Sequence, residues 1–162
     1  MAGITFTVEL EASAARQLDR LVERMERANG FYKNVGEYLT GVAIPRNFAA
    51  ESAPDGSHWA PLSALTTARR EAAGQTPIQI LRATGKMAAE INAEATDDYL
   101  RVGSPAPQAA VMQFGAAQGS FGSSSRGGPI PWGDIPGRPF LGLSPDDEIE
   151  IIAIAEDWLS AE

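Results

Sequence analysis

The sequence predicts an α+β fold: a small, mostly antiparallel sheet packed against several helices, with one long Gly/Ser/Pro-rich loop. Three observations carry this. Ile91, Ala93 and Ala95 alternate with Asn92, Glu94 and Thr96, and Tyr99-Leu100-Arg101-Val102 returns after Asp97-Asp98, the pattern of a β-hairpin. Ile4-Thr5-Phe6-Thr7-Val8-Glu9-Leu10 alternates in the same way and predicts a half-buried strand. Elsewhere, apolar residues recur at helical spacing between capping residues and glycine stops.

In chain order, Ser13 is a candidate N-cap for a helix on which Leu18, Leu21, Val22, Met25 and Ala28 form the apolar side, and Asn29-Gly30 is its stop. The opposite side carries Arg16, Arg20 and Arg24 with Asp19, Glu23 and Glu26. It reads as a solvated face with local ion pairs, or alternatively as a basic stripe for a partner. Phe31, Val35, Tyr38, Leu39 and Val42 continue at helical spacing until Pro45, which should kink or end the helix, with Gly41 easing the bend. Pro54-Asp55-Gly56 is a turn, and Ser63 can cap a short helix that Gly74 ends. Ser104-Pro105 suits a helix start, followed by a short apolar helix through Phe114 that Gly115 stops. Residues 116–135 are too polar and glycine-rich to pack alone and predict a flexible loop carrying Phe121, Arg126 and Trp132. Ser144-Pro145-Asp146-Asp147 then opens a last helix with a cap, a first-position proline and acidic residues at the positive end of the dipole. Its apolar side is Ile151, Ile152, Ala155, Trp158 and Leu159. Phe140 to Leu143 is a candidate third strand.

The 162 residues, 44% apolar, suit one domain spanning 1–162 with a core of its own. The absence of cysteine excludes disulfides, thiolate metal sites and a cysteine nucleophile. No apolar run approaches the roughly 20 residues of a membrane span, and Met1-Ala2-Gly3-Ile4 does not begin a secretory signal, so folding in a cytoplasm is expected. A net charge of −8 argues against dedicated nucleic-acid binding, which needs clustered cations. It is compatible with a channel wall past which DNA slides.

No constellation specifies an enzyme, a metal or a cofactor. His58, the single histidine, stands near Asp55 but without a nucleophile elbow, and Ser123-Ser124-Ser125 lies in the loop, a poor place to hold a nucleophile. Asp97-Asp98 and Asp146-Asp147-Glu148 are explained by turn and helix-start roles. The glycines between Gly115 and Gly137 lack the Gly-Lys-Ser/Thr ending of a phosphate loop.

Several separated segments share the order of a known family. Phe48, Glu51, Pro54-Asp55-Gly56, Trp59 and Pro61-Leu62 come first, followed by Thr66 or Thr67. After them come Ile80-Leu81-Arg82-Ala83-Thr84-Gly85, Val102-Gly103-Ser104, Gln113-Phe114-Gly115 and Pro136-Gly137-Arg138-Pro139-Phe140-Leu141-Gly142-Leu143-Ser144. This series resembles the phage virion-morphogenesis, or tail-completion, family, including its Arg-Pro-Phe-Leu-Gly signature. One departure is Met112, where members often carry His.

The resemblance implies a structural protein of the neck or tail of Mu-like tailed phages, located in the virion and assembled in the host cytoplasm. It implies a ring, a hexamer by resemblance, around the DNA channel, with other neck, tail-terminator or tail-tube proteins as partners and DNA only as passing cargo. Pro54, Gly56, Trp59, Gly85, Phe114 and Gly115 are expected to keep the fold. Phe121, Arg126, Trp132, Arg138 and Phe140 are expected at subunit or partner contacts, with Arg138 alternatively anchoring the loop. Three other readings stay open: a transient assembly factor, a small hydrolase using Asp55 and His58, and an unrelated protein-binding module.

Overall fold

The structure, a computed structural model, describes residues 11–160. Along the chain run α1 (Ala12–Glu26), α2 (Asn29–Tyr38), a π-helical turn (Leu39–Ala43), α3 (Ile44–Ala50), α4 (Ala64–Ala72), α5 (Lys86–Ala89), β1 (Asn92–Ala95), β2 (Leu100–Gly103), α6 (Ala109–Phe114) and α7 (Pro145–Ser160). The fold is a small α+β arrangement, with β1 and β2 antiparallel in the register Ala93 to Val102. The strand expected at Ile4 to Leu10 lies outside the described residues.

α2 is the central element, packed between the hairpin and α7. Gly36 makes the close approach possible, because a Cβ there would stand 3.1 Å from Ala93 Cβ and 3.2 Å from Leu100 Cδ1. Val35, Leu39 and Ala43 form one buried cluster with Leu100, Val102, Ile151 and Ile154 against it. The hairpin turn also serves α2: Asn29 donates its main-chain N–H to the Asp97 carboxylate at 3.2 Å and its amide to Ala95 O at 3.0 Å. Asn29-Gly30 therefore starts the second helix, whereas the sequence suggested a stop for the first.

Pro45 does not end the helical run. It occupies the first turn of α3, where its missing N–H costs little, and the wider π turn before it accommodates the ring. Ser63 caps α4 as expected, accepting the Thr66 N–H at 3.2 Å. Two helix starts differ from expectation. α1 begins at Ala12 with no side-chain cap, and α6 begins at Ala109, Ser104 accepting only the Ala106 N–H in a turn.

The second cluster joins Ile44, Phe48, Ala53, Trp59, Met87, Ala109 and Phe140. Phe48 is its hub, with ring centroids 5.6 Å from Trp59, edge to face, and 5.3 Å from Phe140. Phe140 to Leu143 is not a strand. Pro139 has no N–H to give a ladder, and the N–H groups of Phe140 and Leu141 both go to the Gln113 side chain.

α7 is locked at its start. Ser144 donates its N–H to Asp147 Oδ2 at 2.8 Å, and Asp147 N–H returns to Ser144 Oγ at 3.2 Å, a reciprocal capping box. The fully buried Asp147 also accepts Tyr38 O–H at 2.6 Å and pairs with Arg46 at 2.8 Å. Burial alone would raise its pKa. The hydrogen bonds from Ser144, Tyr38 and Arg46 outweigh that and hold it down at about 2.

Candidate assembly surfaces

The segments of the family resemblance around Trp59 and Gln113 meet in space at the main chain of residues 136–142. Arg138 is 6% exposed. Its Nε donates to Ala60 O at 2.8 Å and its Nη2 to Pro61 O at 3.0 Å, while its own N–H donates to Met112 O at 2.6 Å. Trp59 Nε1 donates to Pro139 O at 2.7 Å, and Asn47 Nδ2 to Phe140 O at 3.2 Å. Gln113 holds three groups, accepting the N–H of Phe140 and Leu141 at 3.0 Å each and donating to Leu141 O at 2.9 Å. A segment that cannot join a sheet thus has its buried main chain satisfied by side chains from three other places in the fold.

This geometry assigns two of the sequence-predicted residues differently and, for Arg138, selects between the two roles offered. Phe140, expected at a contact, is fully buried in the core against Phe48. Arg138, offered as a subunit contact or a loop anchor, is the anchor: burial first, and the Arg70 charge second, lower its pKa, and carbonyl dipoles solvate the cation. Phe114, expected to keep the fold, is 82% exposed. Its neighbour Gly115 does hold the fold, at φ +77°, where a Cβ would sit 2.6 Å from Ile135 O and 2.7 Å from Gly137 N.

The other fold-keeping residues stand where a structural role requires. Trp59 is buried, half-buried Pro54 abuts Gly142, and Gly56 and Gly85 take positive φ at the turn and before α5. Asn47 and the grip of Gln113 were not singled out in the sequence. Neither belongs to a residue class that signals such a role, and only the fold shows what they bond.

Residues 116–135 fold back on themselves as a hairpin-like arm. Ala116 and Ile135 exchange N–H to O bonds at 2.9 and 2.7 Å, and the pairing continues from Gly119 N–H to Pro131 O, Phe121 N–H to Ile130 O and Ser124 N–H to Gly128 O. Gln118 fastens the middle through its N–H to Asp134 Oδ1 and its amide to Trp132 O, both at 2.8 Å. With much of its main chain paired inside the arm, the apolar side chains are left exposed: Phe121 is 55% exposed and Trp132 77%, with Arg126 also exposed near the tip. Phe114, just before the arm, is exposed as well. Apolar exposure of this kind marks an interaction surface more than a solvated loop.

Asp55 is engaged by Ser57. The Asp55 carboxylate accepts Ser57 N–H at 2.9 Å and Ser57 O–H at 2.6 Å, bonds that lower its pKa, and among the described residues it has no hydrogen bond to His58. Among those same residues, no group of His, Cys, Asp and Glu could hold a metal ion, and no helix is long and apolar enough to cross a membrane.

Comparison with known proteins agrees with this geometry. The model of the phage virion morphogenesis family matches residues 10–160. The chain is similar to the Mu-like prophage FluMu G protein 2 of Haemophilus influenzae, 29% identical over 154 residues that cover 93% of this chain and 95% of the relative. It is also similar to protein G of Escherichia phage Mu, whose name associates it with capsid assembly, at 32% identity over 115 residues, 70% of this chain and 69% of the relative. No solved structure matches. An arm that shows its aromatics to solvent, a base clamped by the family's own motifs and a match over nearly the whole length lead to one conclusion: this chain belongs to the phage virion morphogenesis family and serves phage assembly.

Proposed function

We propose that the chain is a structural component that completes the tail or joins it to the head, as a ring of copies around the DNA channel. The observation that carries this reading is the arm. Its main chain is largely paired within itself, its base is fixed by the clamp, and its aromatics are exposed. Such a feature contributes little to the monomer and gains burial only on a neighbour. The net charge of −8 suits a wall past which DNA moves without sticking. The neighbour is an adjacent copy or the next ring, and other neck, tail-terminator or tail-tube proteins are the remaining partners.

The test is to delete Gly119–Gly128 from the full chain. Phage particle assembly should fall steeply while thermal unfolding of the purified protein stays nearly unchanged. Normal assembly by the deletion would sink the arm's role. The capsid-assembly name of the phage Mu relative favours a second reading, a factor that acts during assembly and leaves. Mass spectrometry of purified virions separates the two, since a neck component remains at ring stoichiometry. In both readings the chain works without catalysis, and His58→Ala leaves assembly intact.

A further inference from the structure

A pocket of about 190 Å³ opens between α4, α5 and α6. It is smaller than the roughly 300–1,000 Å³ of small-molecule sites, and its size suits a single large side chain. Buried Met87 and half-buried Leu81 and Met112 give it an apolar side, while half-buried Arg70 and exposed Gln108 give it a polar one. Leu81 stands there at φ +58°, a left-handed backbone that a bulky residue adopts only where the surrounding fold demands it. Among the described residues that line the pocket, Arg70 alone is charged. Its Nη1 donates to Gln79 O at 2.6 Å, and its Nε and Nη2 have no partner among the described residues. The Arg70 charge also lowers the pKa of Arg138, so a second cation stands near it. The exposed Gln108 amide makes no side-chain hydrogen bond among the described residues.

A complementary occupant brings an apolar ring, an N–H donor and a carboxylate together. The arm carries these as one unit. Trp132 is 77% exposed, so it does not fill the pocket of its own copy, and its indole N–H has no partner among the described residues. Gln118 grips Trp132 O and Asp134 Oδ1, both at 2.8 Å, which fixes the ring's main chain and the carboxylate relative to each other. Asp134 is exposed, and its Oδ2 is unbonded among the described residues. Other exposed apolar residues lack this set. Phe114 and Phe121 have no ring N–H and no acidic residue within two positions. Tyr99 is already covered by the Arg101 guanidinium, 4.7 Å from its centroid. Ile149 and Ile152 on α7 stand among carboxylates but offer no donor to Gln108.

We infer that this pocket receives Trp132 from the arm of a second copy. The indole seats against Leu81, Met87 and Met112, its N–H goes to the Gln108 side-chain oxygen, and Asp134 meets Arg70. The inference rests on the reading that the arm meets an adjacent copy, and it names the surface that receives the arm. Each copy gives an arm and receives one, so the contact is heterologous and repeats into a closed ring or an open filament.

The chain has no cysteine, so two can be placed without interference. A Cβ at Gly133 would meet nothing within 4 Å, and Ala83 is exposed at the pocket's edge. Full-length Gly133→Cys and Ala83→Cys chains, mixed under assembling conditions with a short bismaleimide crosslinker, should give a covalent dimer, and each variant alone none. Adding Trp132→Ala to the Gly133→Cys chain should cut the yield about tenfold, the weight of a seated aromatic anchor. Arg70→Glu on the pocket chain or Asp134→Arg on the arm chain should each lower the yield. The two together should restore it, which misfolding cannot imitate. A yield indifferent to Trp132→Ala, or a charge swap that restores nothing, would overturn the proposal. So would an Ile152→Cys chain that crosslinks equally well to Ala83→Cys, since the α7 stripe would then be the occupant. Closure within a single chain carrying both Gly133→Cys and Ala83→Cys, with no oligomers, would put the arm in its own copy's pocket and overturn it as well. An assembled wild type, seen by native mass measurement, with no crosslink in the mixture would overturn the pocket and leave the arm's role to the Gly119–Gly128 deletion. A wild type that stays monomeric at every concentration would overturn the pocket and turn the arm toward a different protein.

Discussion

Residues 116–135 and 136–142 are consecutive, yet they solve the same problem in opposite ways. Each contains glycine and proline that disqualify it from a central strand, and each must still satisfy its main chain. The arm does so internally, and its side chains are left outside. The following segment does so externally, borrowing Trp59, Asn47 and Gln113, and sinks its own Phe140 and Arg138 into the core. Stability therefore concentrates on the residues that grip, and interaction capacity on the residues that are free. The crossing of Gly115 and Gly137, whose main chains touch, is where one regime changes to the other.

The sharpest break in that contrast is Trp59→Ala. It removes a buried aromatic that contacts Phe48 and the donor to Pro139 O, and should destabilise the chain by about 3–5 kcal/mol in urea unfolding, with assembly lost only because the fold is lost. Gln113→Leu keeps the volume but orphans the N–H groups of Phe140 and Leu141, for an expected loss of about 2–3 kcal/mol by the same measurement.

Asp147→Asn tests a buried polar site outside both regions. The folded-state pKa is depressed from 3.8 to about 2, so the carboxylate's contribution is fully present above pH 3.8 and is lost as pH falls through about 2. The variant should be about 2 kcal/mol less stable at neutral pH, and the gap to wild type should close across that acid window. Equal offsets at pH 2 and pH 7 would show that ionisation is not the cause. The smallest effect on stability belongs to Trp132→Ala, within about 0.5 kcal/mol in unfolding, yet particle assembly should drop. A large loss of stability there would mean that the arm also supports the monomer.

Local patterns were legible in the sequence where one residue type has one dominant use. The hairpin follows from alternation around Asp97-Asp98, the Ser63 cap from its position before an apolar turn, and the start of α7 from Ser144 three residues ahead of Asp147. The roles of Arg138, Phe140 and Phe114 were not legible, because Arg and Phe serve equally as anchors and as contacts. The choice is made by distant partners: Ala60 and Pro61 receive Arg138, and Phe48 receives Phe140. α1 shows the same limit at the level of a helix. Its periodicity establishes that Leu18, Val22 and Met25 share a side, and the fold leaves that side uncovered.

The grip on residues 138–141 is addressed almost wholly to main-chain atoms. Trp59, Asn47 and Gln113 bond carbonyls and N–H groups, and Arg138 bonds the carbonyls of Ala60 and Pro61. These bonds recognise the path of the chain, while Phe140 and Leu141 are held separately by the core. Ala60 and Pro61 give the grip only their carbonyls, whereas the four gripping side chains have no equivalent substitutes. The arm inherits a fixed point of departure from a device built on backbone bonds and core packing. Its tip can change to suit a new neighbour without the base having to be rebuilt.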